Sequence, residues 1–166
     1  MAALIFENYI VDNLIFKNNP NFNQIDEEVQ IEPNIEVEIS KDKDSAIVNL
    51  EITLNKNQNN PIYIVEVSII GIFKYNSNES EGFNFDDLLT TNAIAILFPY
   101  ARSLVSDLTA KSNMYPNFNL PIINVVQMLK ENNQIKFNWL LIYIKRHSHV
   151  VFFYAEKRPV LQWGMR

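Results

Sequence analysis

The chain has no cysteine among its 166 residues. That excludes a disulfide framework, a thiolate metal site and a cysteine nucleophile. Glycine is nearly as scarce, with 3 residues. Glycine-rich phosphate loops and nucleophile elbows need it in motifs that do not occur here. The two histidines, His147 and His149, stand at i and i+2 and would share a strand face. No third ligand has a matching spacing, so no metal or other cofactor is expected. Positive charge is in deficit. The formal net charge of −5 is the wrong sign for a surface that displaces counterions from nucleic acid. Long apolar runs are missing too. None is longer than the one at Trp139–Ile144, far short of the roughly 20 residues of a membrane-spanning helix. The opening MAALIFENYI has no basic stretch and meets Glu7 early, unlike a signal peptide. These absences predict a cytoplasmic protein outside the membrane, with no nucleic-acid partner and no hydrolytic or phosphoryl-transfer activity.

What the chain does have is apolar mass. Hydrophobic residues make up 48%, enough for a core, and the length suits about one domain. The charge is unevenly placed. Residues 1–130 hold 8 basic and 17 acidic side chains, a net of −9. Residues 131–166 hold 6 and 2, a net of +4. The C-terminal segment differs in kind from the rest.

Leu4–Phe16 is rich in β-branched and aromatic residues and reads as a strand, with a break near Asp12-Asn13. Ile35, Val37 and Ile39 alternate with Glu36 and Glu38. Val48, Leu50, Ile52 and Leu54 alternate with Asn49, Glu51, Thr53 and Asn55. Ile62–Phe73 places Tyr63, Val65, Val67 and Ile69 on one side and Ile64, Glu66 and Ser68 on the other. Polar turns separate these runs, which favours antiparallel neighbours. Helical spacing appears only afterwards. Leu97, Ala101, Leu104, Val105 and Leu108 recur at three and four residues, capped by Thr90, Thr91 or Asn92, and Ile122–Lys130 forms a second helix. Pro99 must kink the long helix or mark its first turn. The adjacent acids Asp86-Asp87 read as a solvated loop tip. The predicted class is α+β: a four-stranded antiparallel sheet followed by two C-terminal helices.

Asn92–Ala110 reads NAIAILFPYARSLVSDLTA and runs on through KSNMYPNFNLPIINVVQML to Leu129. LFPYAR opening a helix, with the loop FNLPIIN after it and this sheet before it, resembles the SecB family of protein-export chaperones. The similarity covers about Ile5 to Leu129. FENYIVDNLIFKNNP is similar to the family's first strand, PNIEVEIS to its second and YIVEVSIIGIFKY to its fourth. The resemblance implies a holdase that binds unfolded preproteins for export through the Sec translocase and catalyses nothing. Alternatives are a SecB-like chaperone dedicated to a toxin–antitoxin system, and an oligomeric scaffold without clients. It further implies a homotetramer, a dimer of dimers, with helices sandwiched between two eight-stranded sheets. The apolar stripe Leu97, Ala101, Leu104, Val105 and Leu108 would be the oligomer seam. Clients would bind grooves lined by Phe73, Tyr75, Phe83, Phe85, Tyr115 and Phe118. The acidic outer face of the sheet would dock the export motor ATPase through Asp12, Ile64 and Glu66. A third position of that set is Lys17 here, with the charge reversed.

The chain then divides at residues 1–133 and 134–166. Ile135–Arg166 is apolar, aromatic and basic, and has no counterpart in the family. Leu140–Ile144 and Val150–Tyr154 flank the polar Lys145–His149 and suggest a hairpin. Such a segment is expected to fold back and occupy client-binding surface, because the resemblance implies clients of aromatic and basic composition; a third helix that completes the core and a disordered tail are the alternatives.

Overall fold

Period-two runs of valine and isoleucine draw the backbone into one sheet. A computed structural model describes residues 2–22, 30–113, 115–121 and 123–138, and the backbone of 143–147 and 150–154. β1 (Leu4–Asn18), β2 (Pro33–Lys41), β3 (Ser45–Leu54) and β4 (Tyr63–Tyr75) lie in the order β1-β4-β3-β2. Each is antiparallel to its neighbour. The alternation decides the faces. Val37, Ile39, Val48, Leu50, Ile52, Val65, Val67 and Ile69 point to one side and are fully buried. Glu36, Glu38, Asn49, Glu51 and Glu66 point to the other.

β1 departs from simple alternation. Its pairing with β4 shifts register between Phe6 and Asn8 and again between Val11 and Asn13. Glu7 and Asp12 are the extra residues of two bulges. Each bulge resets the face. Phe6, Tyr9, Val11, Leu14 and Phe16 therefore all stand opposite Phe73, Gly71, Ile69, Val67 and Val65, on the core side.

The helices cover that side alone. Asn84 accepts the Asp87 N–H at 2.8 Å and starts α1 (Phe85–Leu88), a π-turn spans Leu89–Ala93, and α2 (Ile94–Lys111) follows. The helix thus begins earlier than a cap at Thr90, Thr91 or Asn92 predicts. Asp86 and Asp87 fill its first turn, where carboxylates oppose the dipole favourably, and Asp86 pairs with Lys41. They do not form a loop tip. Pro99 lies inside α2, exposed. By length and composition alone, Phe85–Lys111 could cross a bilayer, but Leu89, Ile94, Leu97, Ala101 and Val105 are buried on the sheet. α3 (Val125–Glu131), capped by Asn124, adds Val125 and Leu129 to the same core.

The sheet is mixed and five-stranded, not the four-stranded antiparallel one that the sequence predicts. After α3 the chain turns through Asn133 at φ 52, and the Gln134 carbonyl accepts the Val37 N–H at 2.9 Å. β5 (Ile135–Asn138) then pairs in parallel with the free edge of β2. An unpaired edge is a template for any nearby extended segment, and four residues carry too little periodicity to announce themselves. Beyond it, β6 (Tyr143–His147) and β7 (Val150–Tyr154) form the expected antiparallel hairpin. His149 lies outside the described residues, as does Trp139.

Candidate functional site

Five strands lie under helices that do not cover them equally. α2 packs mainly on β4 and β3 and more lightly on β1. No residue of β1 is buried, although it is a 15-residue strand rich in apolar side chains. Val11 is 40% exposed and Leu14 44%. The overhanging core side of β1 is a half-open apolar band.

Aromatic rings wall this band at both ends. Tyr100 of α2 lies 4.6 Å, ring to ring, from Tyr9 and 6.0 Å from Phe6, and Phe6 lies 5.4 Å from Phe73. At the far end Phe16 meets Tyr63 at 5.3 Å, and Tyr63 meets Tyr115 at 5.8 Å. Burial holds the Tyr63 phenol above its ordinary pKa. Between these clusters Val11 and Leu14 are open. A strip of ring faces and aliphatic side chains provides contact area without a sequence requirement.

The six aromatics expected to line a client groove fall into two groups. Phe73 is fully buried and Phe85 nearly so, so both are core and not groove. A strand-end phenylalanine on the core side has no route to solvent once the helix lies over it. Tyr75 stacks on Phe85 at 4.8 Å and donates its hydroxyl to the Phe83 carbonyl at 2.9 Å. Phe83 is 60% exposed, and Tyr115 and Phe118 are half-buried. The residues that line the band but escaped the sequence reading are Phe6, Tyr9, Val11, Leu14, Phe16 and Tyr100. Their signal was the spacing 6, 9, 11, 14, 16, which neither a regular strand nor a helix produces.

The residues of the expected oligomer seam differ in burial likewise. Leu97, Ala101 and Val105 are fully buried inside the protomer, and Leu104 and Leu108 pack half-buried against the same core. One sheet does absorb the inner stripe of α2, so Leu97, Ala101 and Val105 are spent within the chain, while Leu104 and Leu108 keep exposed surface.

The outer face of the sheet carries the acids. Asp12, Glu36, Glu38, Glu51 and Ser68 line a shallow depression of about 280 Å³. The Ser68 hydroxyl bonds Asn49 at 2.9 Å. Lys56 pairs with Glu66 at 3.0 Å and Glu51 at 3.3 Å. Lys136 of β5 pairs with Glu36 at 3.0 Å, and that bond holds the Glu36 carboxyl below its usual range. Among the described residues Asp12 and Glu38 have no ion-pair partner. Asp12, Ile64 and Glu66 do share this face, and Lys17 stands directly across from Ile64. The described residues contain no cluster of acidic, histidine or cysteine side chains suited to a metal ion.

Residues 3–136 match the sequence profile of a family described as preprotein translocase subunit SecB. The chain belongs to the SecB family. A protein of Methanocaldococcus jannaschii, MJ0357, is 32% identical over 141 residues, covering 81% of this chain and 88% of that protein. Among solved structures, the fold is similar to the Mycobacterium tuberculosis SecB-like chaperone Rv1957, solved in complex with a peptide from the HigA1 antitoxin. The TM-score is 0.55 at 17% identity, over 73% of this chain and 88% of that one. The α+β fold is thus SecB-like. The family match ends at residue 136, within β5, so the hairpin β6–β7 lies beyond it.

Proposed function

We propose that this SecB-family protein is a holdase that binds non-native polypeptide segments along the half-open band of β1 and α2. The observation that carries the reading is the exposed apolar side of β1, flanked by the Tyr9–Tyr100 and Phe16–Tyr63–Tyr115 clusters. An extended client laid along the band would bury side chains at about 25 cal/mol per Å², before the cost of ordering it. Holding is equilibrium binding and lowers the free concentration of aggregation-prone chains. It needs no covalent step.

The same edge strand supports assembly. Ile5 and Ile15 are exposed on the outer side of β1, Val11 and Leu14 on the core side. A second copy pairing edge to edge would join two sheets, and α2 surfaces would then unite two such dimers into a homotetramer. Several bands on one particle add avidity for a long client.

The family's description supports preprotein clients; on this reading they are handed over in the cytoplasm to an export motor docked on the outer face near Asp12, Ile64 and Glu66. The antitoxin peptide held by the Mycobacterium fold relative supports a second reading, a chaperone for one dedicated partner. The deciding experiment is fluorescence anisotropy with two ligand sets at one salt concentration: several reduced, unfolded proteins and a panel of antitoxin segments. Micromolar or tighter binding to many unfolded chains supports the general holdase. Binding to one antitoxin segment alone supports the dedicated reading. Binding to none removes both and leaves a scaffold.

A further inference from the structure

The two edges of the main sheet are unlike. β1 forms one and β5 the other. β1 is 15 residues long, and Ile5, Val11, Leu14 and Ile15 are exposed along it. Its two bulges leave Asn13–Asn18 in unbroken register with β4. β5 has only four residues, and its Lys136 is exposed. Shortness and an edge lysine both deter a further strand from pairing.

The edge that β5 hides is of the opposite kind. β2 runs for nine residues and pairs with β3 along its whole length with no shift of register. Ile35, Val37 and Ile39 are buried on its core side. A regular strand of this length is a template for any extended chain that meets it. β5 covers Val37–Ser40, which stand opposite Ile135, Lys136, Phe137 and Asn138. Every side of the strand is engaged. The Val37 N–H donates to the Gln134 carbonyl at 2.9 Å. Ile135 and Phe137 pack half-buried on the flank of the core. On the outer face Lys136 bonds Glu36 at 3.0 Å and Asn138 reaches toward Glu38 at 3.5 Å. The Gln134 side chain donates to Asn34 Oδ1 at 2.8 Å.

We propose that β5 seals the β2 edge, so that a second copy of the chain extends this sheet at β1 alone. The consequence is closure. A β1 edge on a β1 edge is one surface meeting itself about a two-fold axis, and among the described strands the joined sheet then ends in β5 on both sides. A β1 edge on a bare β2 edge joins two different surfaces. Each added copy would present another free edge, and the array would not close. The two-fold pair rests on the edge pairing of β1 proposed above; the seal on β2 does not. The family match ends at residue 136, so Phe137 and Asn138 of the seal lie beyond it.

Two variants of the full chain open the seal by different means. Lys136→Pro removes a backbone N–H from the middle of β5, where a paired strand does not tolerate proline. Lys136→Glu with Asn138→Asp leaves the backbone intact and sets acids against Glu36 and Glu38. In sedimentation velocity the wild-type protein should run as one species across a concentration series. Both variants should form a ladder of sizes that lengthens with concentration. Adding Glu36→Lys and Glu38→Lys to the acidic variant should return the single species. Hydrogen exchange at the Val37 amide identifies the edge in use: in either variant it should be fast in dilute solution and slow again as the ladder grows. Ile5→Asp with Ile15→Asp on β1 should abolish the ladder. Variants that fold by circular dichroism yet keep the wild-type size overturn the proposal. So does growth that leaves Val37 exchanging freely, or a ladder that survives the charges on β1. A wild-type monomer beside variants that form the ladder overturns the β1 pair alone and supports the seal.

Discussion

Gly71 of β4 lies directly beneath Leu97 of α2. A β-carbon at Gly71 would stand 2.7 Å from both Leu97 methyls and 2.8 Å from the Phe73 ring. Both neighbours are fully buried, so neither has room to turn away. Glycine here allows the helix to approach the sheet closely, which draws α2 onto β4 and leaves β1 overhanging. Gly71→Ala should destabilise the protomer by about 1–3 kcal/mol through overpacking. Urea unfolding followed by circular dichroism reads this directly. An unchanged midpoint would mean that the contact is slack.

Core and band side chains should separate in a paired measurement. Phe73→Ala removes a buried ring and should cost about 3–5 kcal/mol of stability. Val11→Ser and Tyr100→Ser, alone or together, change exposed side chains of the band and should cost far less, while client affinity falls several-fold. If the exposed pair leaves affinity intact in anisotropy titrations, the band is not where clients bind.

Assembly should depend on β1. Ile5→Asp with Ile15→Asp places two charges on the exposed outer side of the edge strand, clear of the client band, where a second copy would cover them. The native mass should fall in sedimentation equilibrium with the circular dichroism spectrum unchanged. A wild-type protein that sediments as a monomer at micromolar concentration would sink the proposed oligomer.

The attachment of β5 should loosen in acid. The Lys136 ammonium bonds the Glu36 carboxylate and lowers its pKa in the folded protein. A lowered folded pKa means stabilisation that is complete above the unfolded value, about 4.3 for glutamate, and lost as pH falls through the lower, folded value. Hydrogen exchange at the Val37 amide, which donates to Gln134, should therefore gain protection less steeply with rising pH in Glu36→Gln than in wild type. High salt should mimic the substitution, because the pair is exposed and screened.

Much of this protein is legible in its residues, for stated physical reasons. β3 and β4 alternate without interruption, so their faces follow from the side-chain period of two. Tyr63, Val65, Val67 and Ile69 face inward as the pattern requires. β1 is harder. Its bulges at Glu7 and Asp12 insert a residue into the period, so the partner strand alone reveals that Phe6, Tyr9, Val11, Leu14 and Phe16 share a side. Phe73 and Phe83 look alike in sequence, both aromatic and near a turn. One is sealed by α2 and the other stands in solvent, which depends on where the helix lands.

The local features, then, belong to the sequence: strand periods, the polar turns, the SecB-like order of sheet and helices, and a basic tail on an acidic body. They are encoded in near neighbours, where spacing alone fixes which side chains share a face. The free edge taken by β5, the uneven cover of α2 over β1 and the pairing of Glu36 with Lys136 are decided by the tertiary structure. Each joins segments far apart in the chain, Glu36 and Lys136 by 100 residues. No local pattern records which distant groups will meet until packing has set the register between them.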